Sequence, residues 1–230
     1  MINVILIEPE VEGNIGAVAR VMVNFGFKNL VLINPKVDHL SLEATSRASH
    51  AKDILKKAKV KDEKFLKCFD YLVATTAKIG SDYNIPRCPL SPEELAVKLS
   101  KLDKKTKVGI VFGRESRGLT NEEIKLCDFS VTIPSHKKYA TLNLSHSVGI
   151  ILYSLFLKSK TEKTGENIMP IALREKEQLL LILNKALDKM SFATKEKKET
   201  QRIVWKKMIG KAFLTKREAF ALMGFLKKIK

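Results

Sequence analysis

The run from Phe112 to Asn143, FGRESRGLTNEEIKLCDFSVTIPSHKKYATLN, holds two strand endings in succession. An apolar strand predicted over Val108–Phe112 stops at Gly113-Arg-Glu115 and a polar turn closes at Gly118. Thr120-Asn-Glu-Glu123 then has the spacing of a capping box and opens a helix over Asn121–Leu126. A second apolar run, Phe129–Ile133, leads through a basic, hydroxyl-rich loop into another helix at Leu144. Two consecutive strand ends thus carry Gly, Arg, Glu, Ser, Thr and Asn. Parallel α/β sheets gather ligand chemistry outside the carboxyl ends of their strands.

Upstream the same alternation continues. Asn3–Ile7, Leu30–Ile33 and Tyr71–Ala74 read as strands, apolar on both faces. Ile15–Phe25, Ala44–Lys57, Pro92–Ser100 and Leu144–Leu157 read as helices, the third opened by the capping box Ser91-Pro-Glu-Glu94. The pattern predicts an α/β fold whose mainly parallel sheet carries helices on both faces. After Leu157 the composition turns polar, which divides the chain into a domain over 1–157, a linker over 158–168 and an all-α extension over 169–230. Arg174–Met190, Lys195–Met208 and Lys216–Lys228 are its expected helices. The first has an apolar side of Leu179, Leu180, Ile182, Leu183, Ala186, Leu187 and Met190, read as core, with its lysines on the other face.

The chain of 230 residues has a formal charge of +17, of which +11 lies from Lys158 onward. So uneven an excess points to a polyanion partner, most simply nucleic acid. Arginine supplies only eight of the 42 basic residues, yet Arg20, Arg87, Arg114 and Arg117 all fall in or beside loops. A guanidinium fork suits phosphate or carboxylate in a way that lysine does not. Cys68, Cys88 and Cys127 are scattered, and the four histidines lack ligand spacing, so neither a disulfide frame nor a metal site is expected. The acidic turn after a short apolar start is no signal peptide, and Val148–Leu157 is too short to span a bilayer. A cytoplasmic location is the expectation.

Four polar loops follow four predicted strands. The first runs from Glu8 to Asn14, with Gly13 and Gly16 flanking Asn14, where a phosphate or sugar could approach backbone N–H groups, and with Arg20 on the helix beyond. The third strand is followed by Thr75-Thr76, whose hydroxyls could bond a ligand or their own backbone, and then by Asn84-Ile-Pro-Arg87. Neither a phosphate-binding loop of the Walker type nor a dinucleotide fingerprint occurs, and no Ser–His–Asp arrangement is legible. His146, one turn into an apolar helix, reads as a helix histidine more readily than as a base.

Three segments together resemble the SPOUT methyltransferases, in the TrmH/TrmJ branch of RNA ribose 2′-O-methyltransferases. They are GNIGAVARVMVNFGF, with Asn14 six residues before Arg20; VFGRESRGLTNEE; and VTIPSHKKYATLNLSHSVGI, with Thr141 two residues before Asn143. They occur in the family's order and spacing from the first strand to about Leu157, and the ending TKREAFALMGFLKKIK resembles the TrmJ carboxyl-terminal extension. The resemblance implies an α/β knot in which roughly Val131 to Leu157 threads an earlier loop as a trefoil, and a homodimer. It implies an S-adenosylmethionine pocket drawing on Thr75, Thr76, Gly113, Ile133, Ser135, Leu142 and Leu144, with no metal. Arg20, Asn14, Glu115, Thr141 and Asn143 match the family's catalytic positions, Thr141 standing where members often carry Ser. The implied substrate is tRNA, at a cytidine or uridine ribose of the anticodon loop. The alternatives are the same chemistry on ribosomal RNA, or a non-catalytic RNA-binding protein on this fold.

Overall fold

The computed structural model describes residues 1–77, 89–136, 138–159 and 171–229. Six strands form one parallel sheet in the order β3-β2-β1-β5-β4-β6. They are β1 (Ile2–Ile7), β2 (Leu30–Ile33), β3 (Lys59–Lys61), β4 (Tyr71–Thr75), β5 (Val108–Phe112) and β6 (Phe129–Val131). Five lie where the apolar runs predict them. The sixth, β3, is the exposed tripeptide Lys-Val-Lys paired with β2 at the sheet edge. An edge strand flanked by lysines has no buried face to print an apolar pattern, so periodicity does not reveal it.

The strands are buried on both faces, in alternation. Val4, Leu6, Leu32, Val73, Ile110 and Phe112 enter one core. Ile5, Ile7, Val31, Ile33 and Val111 enter the other. The cover is uneven. Helices α1 (Glu12–Asn24), α2 (Leu42–Ala48), α3 (Lys52–Lys56), α4 (Pro92–Leu99) and α6 (Leu144–Ser159) all contribute to the first core. The second is closed by the 3₁₀ turn Glu63–Cys68 and by the short helix α5 (Asn121–Leu126).

Two departures from the sequence reading bear on the site. Helix α1 begins at Glu12, so Gly13 and Asn14 lie in its first turn and not in a loop. A Cβ on Gly16 would sit 2.1 Å from the Ala44 carbonyl oxygen, and one on Gly13 would sit 2.4 Å from Glu43 Oε1. These glycines serve close packing of α1 on α2 and present no open cradle to a phosphate. The helix expected over Ala44–Lys57 is broken, because Ser49 takes a left-handed φ of 53° and a 3₁₀ turn, Ser49–Ala51, separates α2 from α3.

After α6, α7 (Leu173–Lys189), α8 (Lys195–Ala212) and α9 (Lys216–Leu226) share an apolar cluster of their own, with Leu179, Leu183, Ile209 and Met223 buried in it. Arg87, Cys88 and most of the expected linker lie outside the described residues. The helices seat on the β4–β6 side of the sheet. Phe213 ends α8 in a left-handed conformation and stacks on Tyr71 at 5.1 Å between centroids, with Phe129 at 5.5 Å.

Lysines complete this seat, and Lys176 corrects the expectation that the lysines of α7 lie on the face away from its core. Lys176 of α7 is buried, with Nζ 3.0 Å from Asp128 Oδ1, and it also donates to the Asp70 carbonyl. Lys207 Nζ donates to the Ile124 and Cys127 carbonyls, both at 3.0 Å, while Lys206 Nζ reaches those of Lys125 and Leu126. The last carbonyls of a helix lack partners within it and attract cations. Two lysines of α8 thus satisfy the carboxyl end of α5.

Candidate functional site

At the carboxyl ends of β4, β5 and β6 a cavity of about 410 Å³ opens between the strand termini, the 113–119 turn and the chain leading into α6. Its dimensions suit a nucleoside-sized ligand. The lining includes Thr75, Thr76, Gly113, Glu115, Ile133, Thr141, Leu142 and Leu144, together with Phe112, Val131 and Ile151. Thus all the residues expected around a cofactor surround one space except Ser135, whose hydroxyl instead donates to the Ala140 carbonyl at 3.1 Å and closes the 135–140 loop. The Thr75 hydroxyl is committed to the Val111 carbonyl at 3.0 Å, so at this residue the backbone-bonding alternative describes the contact made.

The 113–118 turn is tight for a reason visible at two residues. A Cβ on Gly113 would lie 2.2 Å from the Gly118 carbonyl carbon, and Gly118 holds a φ of 71°. Only glycine accepts both conditions without strain. Beneath the turn, Arg114 is buried and held by three carboxylate contacts: Nε to Glu8 at 3.0 Å, and Nη1 and Nη2 to the two oxygens of Glu123 at 3.1 and 3.0 Å. Its hydrogen bonds hold the Glu8 carboxyl below the usual carboxylate range, and the two carboxylates keep the guanidinium charged. Arg114 is therefore an internal clamp that ties the ends of β1 and β5 to α5. The sequence places it in a loop but cannot show that Glu8 and Glu123 converge on it. Arg117 is exposed, at 3.9 Å from Glu8.

At the mouth of the cavity three residues from distant segments form a chain. Asn143 Nδ2 donates to Asn14 Oδ1 at 3.1 Å, and Asn14 Nδ2 donates to Glu115 Oε1 at 3.1 Å. The other Glu115 oxygen accepts from the backbone N–H of Glu10 at 2.9 Å. The Glu10 carboxylate in turn accepts from the Ser116 backbone and hydroxyl, clasping the first loop to the fourth. Glu10 has no distinguishing signal in the sequence beyond its place after a strand.

Arg20 stands apart. Six residues along a helix amount to about 9 Å of rise and a turn of about 120° from the starting face. Arg20 is exposed on α1 and makes no hydrogen bond or ion pair with the described residues. His146 is likewise exposed, and among the described residues no cluster of His, Cys, Asp and Glu could hold a metal ion.

Known proteins place this arrangement. Residues 1–153 match the model of the SpoU rRNA Methylase family. Over 230 residues the chain is 40% identical to the tRNA (cytidine-2′-O-)-methyltransferase TrmJ of Methanocaldococcus jannaschii, covering 99% of each sequence. The crystal structure of TrmJ from Z. mobilis ZM4 superposes with a TM-score of 0.71 at 26% identity, over 99% of this chain and 98% of that one. The SpoU methyltransferase AviRb from Streptomyces viridochromogenes, solved with the cofactor AdoMet, shares the fold at a TM-score of 0.52 and 18% identity, over 70% of this chain and 58% of that one. By sequence and by structure, the chain belongs to the SpoU methylase family.

Proposed function

We propose that this protein transfers the methyl group of S-adenosylmethionine to the 2′-oxygen of a cytidine or uridine ribose in the anticodon loop of tRNA. The observation that carries the reading is the extent of the relationship to the Methanocaldococcus jannaschii enzyme, which runs through the basic helices as well as the sheet. A loop is also where a protein can reach a splayed nucleotide.

The cavity fits the cofactor by its donor set. Apolar Ile133, Leu142 and Leu144 would enclose the adenine, and backbone groups at the ends of β4 and β5, near Thr76 and Gly113, would meet its polar edge. When bound, S-adenosylmethionine supplies a sulfonium methyl and a neutral thioether leaving group, so no metal is required. Glu115, anchored by Asn14 and Glu10, fixes the wall on which Thr141 and Asn143 face the RNA. Arg20 would hold a nucleotide phosphate and offset negative charge growing on the 2′-oxygen. A guanidinium stays protonated and so acts as an electrostatic partner, not as a base.

The same reading takes 1–157 as the methyltransferase domain, 158–168 as a linker and 169–230 as the tRNA-binding extension, in a cytoplasmic protein. It includes a trefoil knot over Val131–Leu157. The path supports this: β6 lies at the sheet edge, yet α6 returns to pack on α1 and α4. It also includes a homodimer. Val23 of α1 and Ile150, Tyr153 and Leu157 of α6 leave an exposed apolar patch on two helices that pack together. Arg20 lies on one of those helices and faces away from its own Asn14, which suits a site completed across two copies.

One observation favours a second substrate, since the matching family is described by ribosomal RNA methylation. Transfer of tritiated methyl to purified total tRNA and to ribosomal RNA separates the two. Label is expected in tRNA; label confined to ribosomal RNA would select the second reading.

A further inference from the structure

Asn143 is the residue just before helix α6, and its side chain works in two directions. Its Oδ1 accepts from the backbone N–H of Ser145 at 2.9 Å and from the Ser145 hydroxyl at 2.8 Å. The first of these is an amino-terminal capping bond, and the Ser147 N–H on the Asn143 carbonyl at 3.0 Å continues the helix. The second comes from the hydroxyl of a residue that is itself buried, at 9% exposure.

This pair of donors fixes the polarity of everything that follows. A backbone N–H is a donor in any surroundings, so the Asn143 atom facing it is the oxygen and the atom turned away is the amide nitrogen. The atom of Asn14 that meets this nitrogen must be an acceptor, and the Asn14 nitrogen is thereby turned toward Glu115. The chain runs one way, from Ser145 through Asn143 and Asn14 to the carboxylate, with steps of 2.8, 3.1 and 3.1 Å. Reversing either amide would bring donor against donor at one end.

The geometry points to Ser145 as a positioning residue for methyl transfer: its hydroxyl locks the Asn143 amide, and through Asn14 sets the orientation of Glu115 at the mouth of the cavity. Ser145 acts on the reaction only through Asn143 and does not line the cavity. The backbone bond sets the polarity; the hydroxyl, as a second donor on the same oxygen, holds the side chain to one rotamer. The inference rests on the methyltransferase reading for its kinetic consequence but on the hydrogen-bond chain alone for its geometry.

The test compares Ser145→Thr with Ser145→Val in the full-length protein, because the two differ in shape by little more than hydroxyl against methyl. Thr is expected to keep most of the wild-type rate. Val is expected to lose about 5- to 10-fold in kcat, the effect of one net hydrogen bond, with KM for S-adenosylmethionine unchanged. In ¹⁵N–¹H spectra of the free protein, the side-chain NH₂ signals of Asn143 and Asn14 should move together in Val and stay near wild type in Thr. Equal loss in both variants would make the position one of shape and overturn the proposal, as would a Val variant with wild-type kcat and unmoved signals. If the wild type methylates neither RNA, the substrate reading fails while the spectra still decide the role of Ser145.

Discussion

Arg20 and Gly113 mark two kinds of dependence at the residue scale. Arg20 is exposed and takes no part in packing the described core, so Arg20→Ala should leave the fold and calorimetric S-adenosylmethionine binding in place. Methyl transfer should fall by about 10²- to 10³-fold, the usual effect of removing one group that stabilises a developing oxyanion. A variant turning over at the wild-type rate would remove Arg20 from the chemistry. Gly113→Ala works differently, since its Cβ would meet the backbone of Gly118 and Leu119 at 2.2 and 2.3 Å. It should cost on the order of 3 kcal/mol in denaturant unfolding and weaken cofactor binding as well. Asn14, Glu115 and Asn143 were legible as catalytic candidates through the three segments that resemble the methyltransferase family, while the residues by themselves showed only polar loops after apolar strands. That Arg114 is an internal clamp was not, because Glu8 and Glu123 are separated by more than a hundred residues of sequence.

At the scale of elements, the seat of the helical extension depends on charges placed inside it. Lys176 and Asp128 form a buried pair, and Asp128 Oδ2 also accepts from the Leu72 N–H at 2.8 Å. Lys176→Met leaves that carboxylate without its cation and should lower stability by about 3 kcal/mol, as breaking one side of a buried pair does. Beneath α8, burial pushes the Lys207 ammonium down to about 8 and the Cys127 thiol up to about 12. Above pH ~8 the unfolded chain keeps a proton on Lys207, up to ~10.4, that the folded chain has lost, so this group adds stability as pH rises. From ~8.5 upward the unfolded chain loses the Cys127 proton that the folded chain retains, so the thiol subtracts stability over the same range. Cys127→Ala removes the second effect. Its melting temperature relative to wild type should therefore climb between about pH 8.5 and 10; a flat difference would contradict the buried thiol. Element ends were readable wherever a capping box stands, at Ser91, Thr120 and Thr215, because each cap is a local bond between residues three apart. The β3 edge and the break at Ser49 were not readable, because tertiary pairing and backbone strain leave no periodic trace.

For the whole molecule, the charge excess was legible in sign but not in use. Lys176, Lys206 and Lys207 hold the extension to the rest of the chain, which leaves outward basic residues such as Lys195, Lys197, Arg217 and Lys228 to meet a polyanion. Replacing Lys195 and Lys197 by Gln should weaken tRNA binding and reduce the slope of log K against log salt by about 0.7 to 0.9 for each phosphate no longer neutralised, with cofactor affinity unchanged. An unchanged slope would move the RNA path off this helix. The central claim is ribose methylation of tRNA, and it is tested most directly by mass spectrometry of nucleosides from tRNA incubated with the purified protein and S-adenosylmethionine. The expected product is a 2′-O-methylated cytidine or uridine from the anticodon loop, formed about 10²- to 10³-fold more slowly with Arg20→Ala. Unmodified tRNA, or a methyl group carried on a base, would contradict the account.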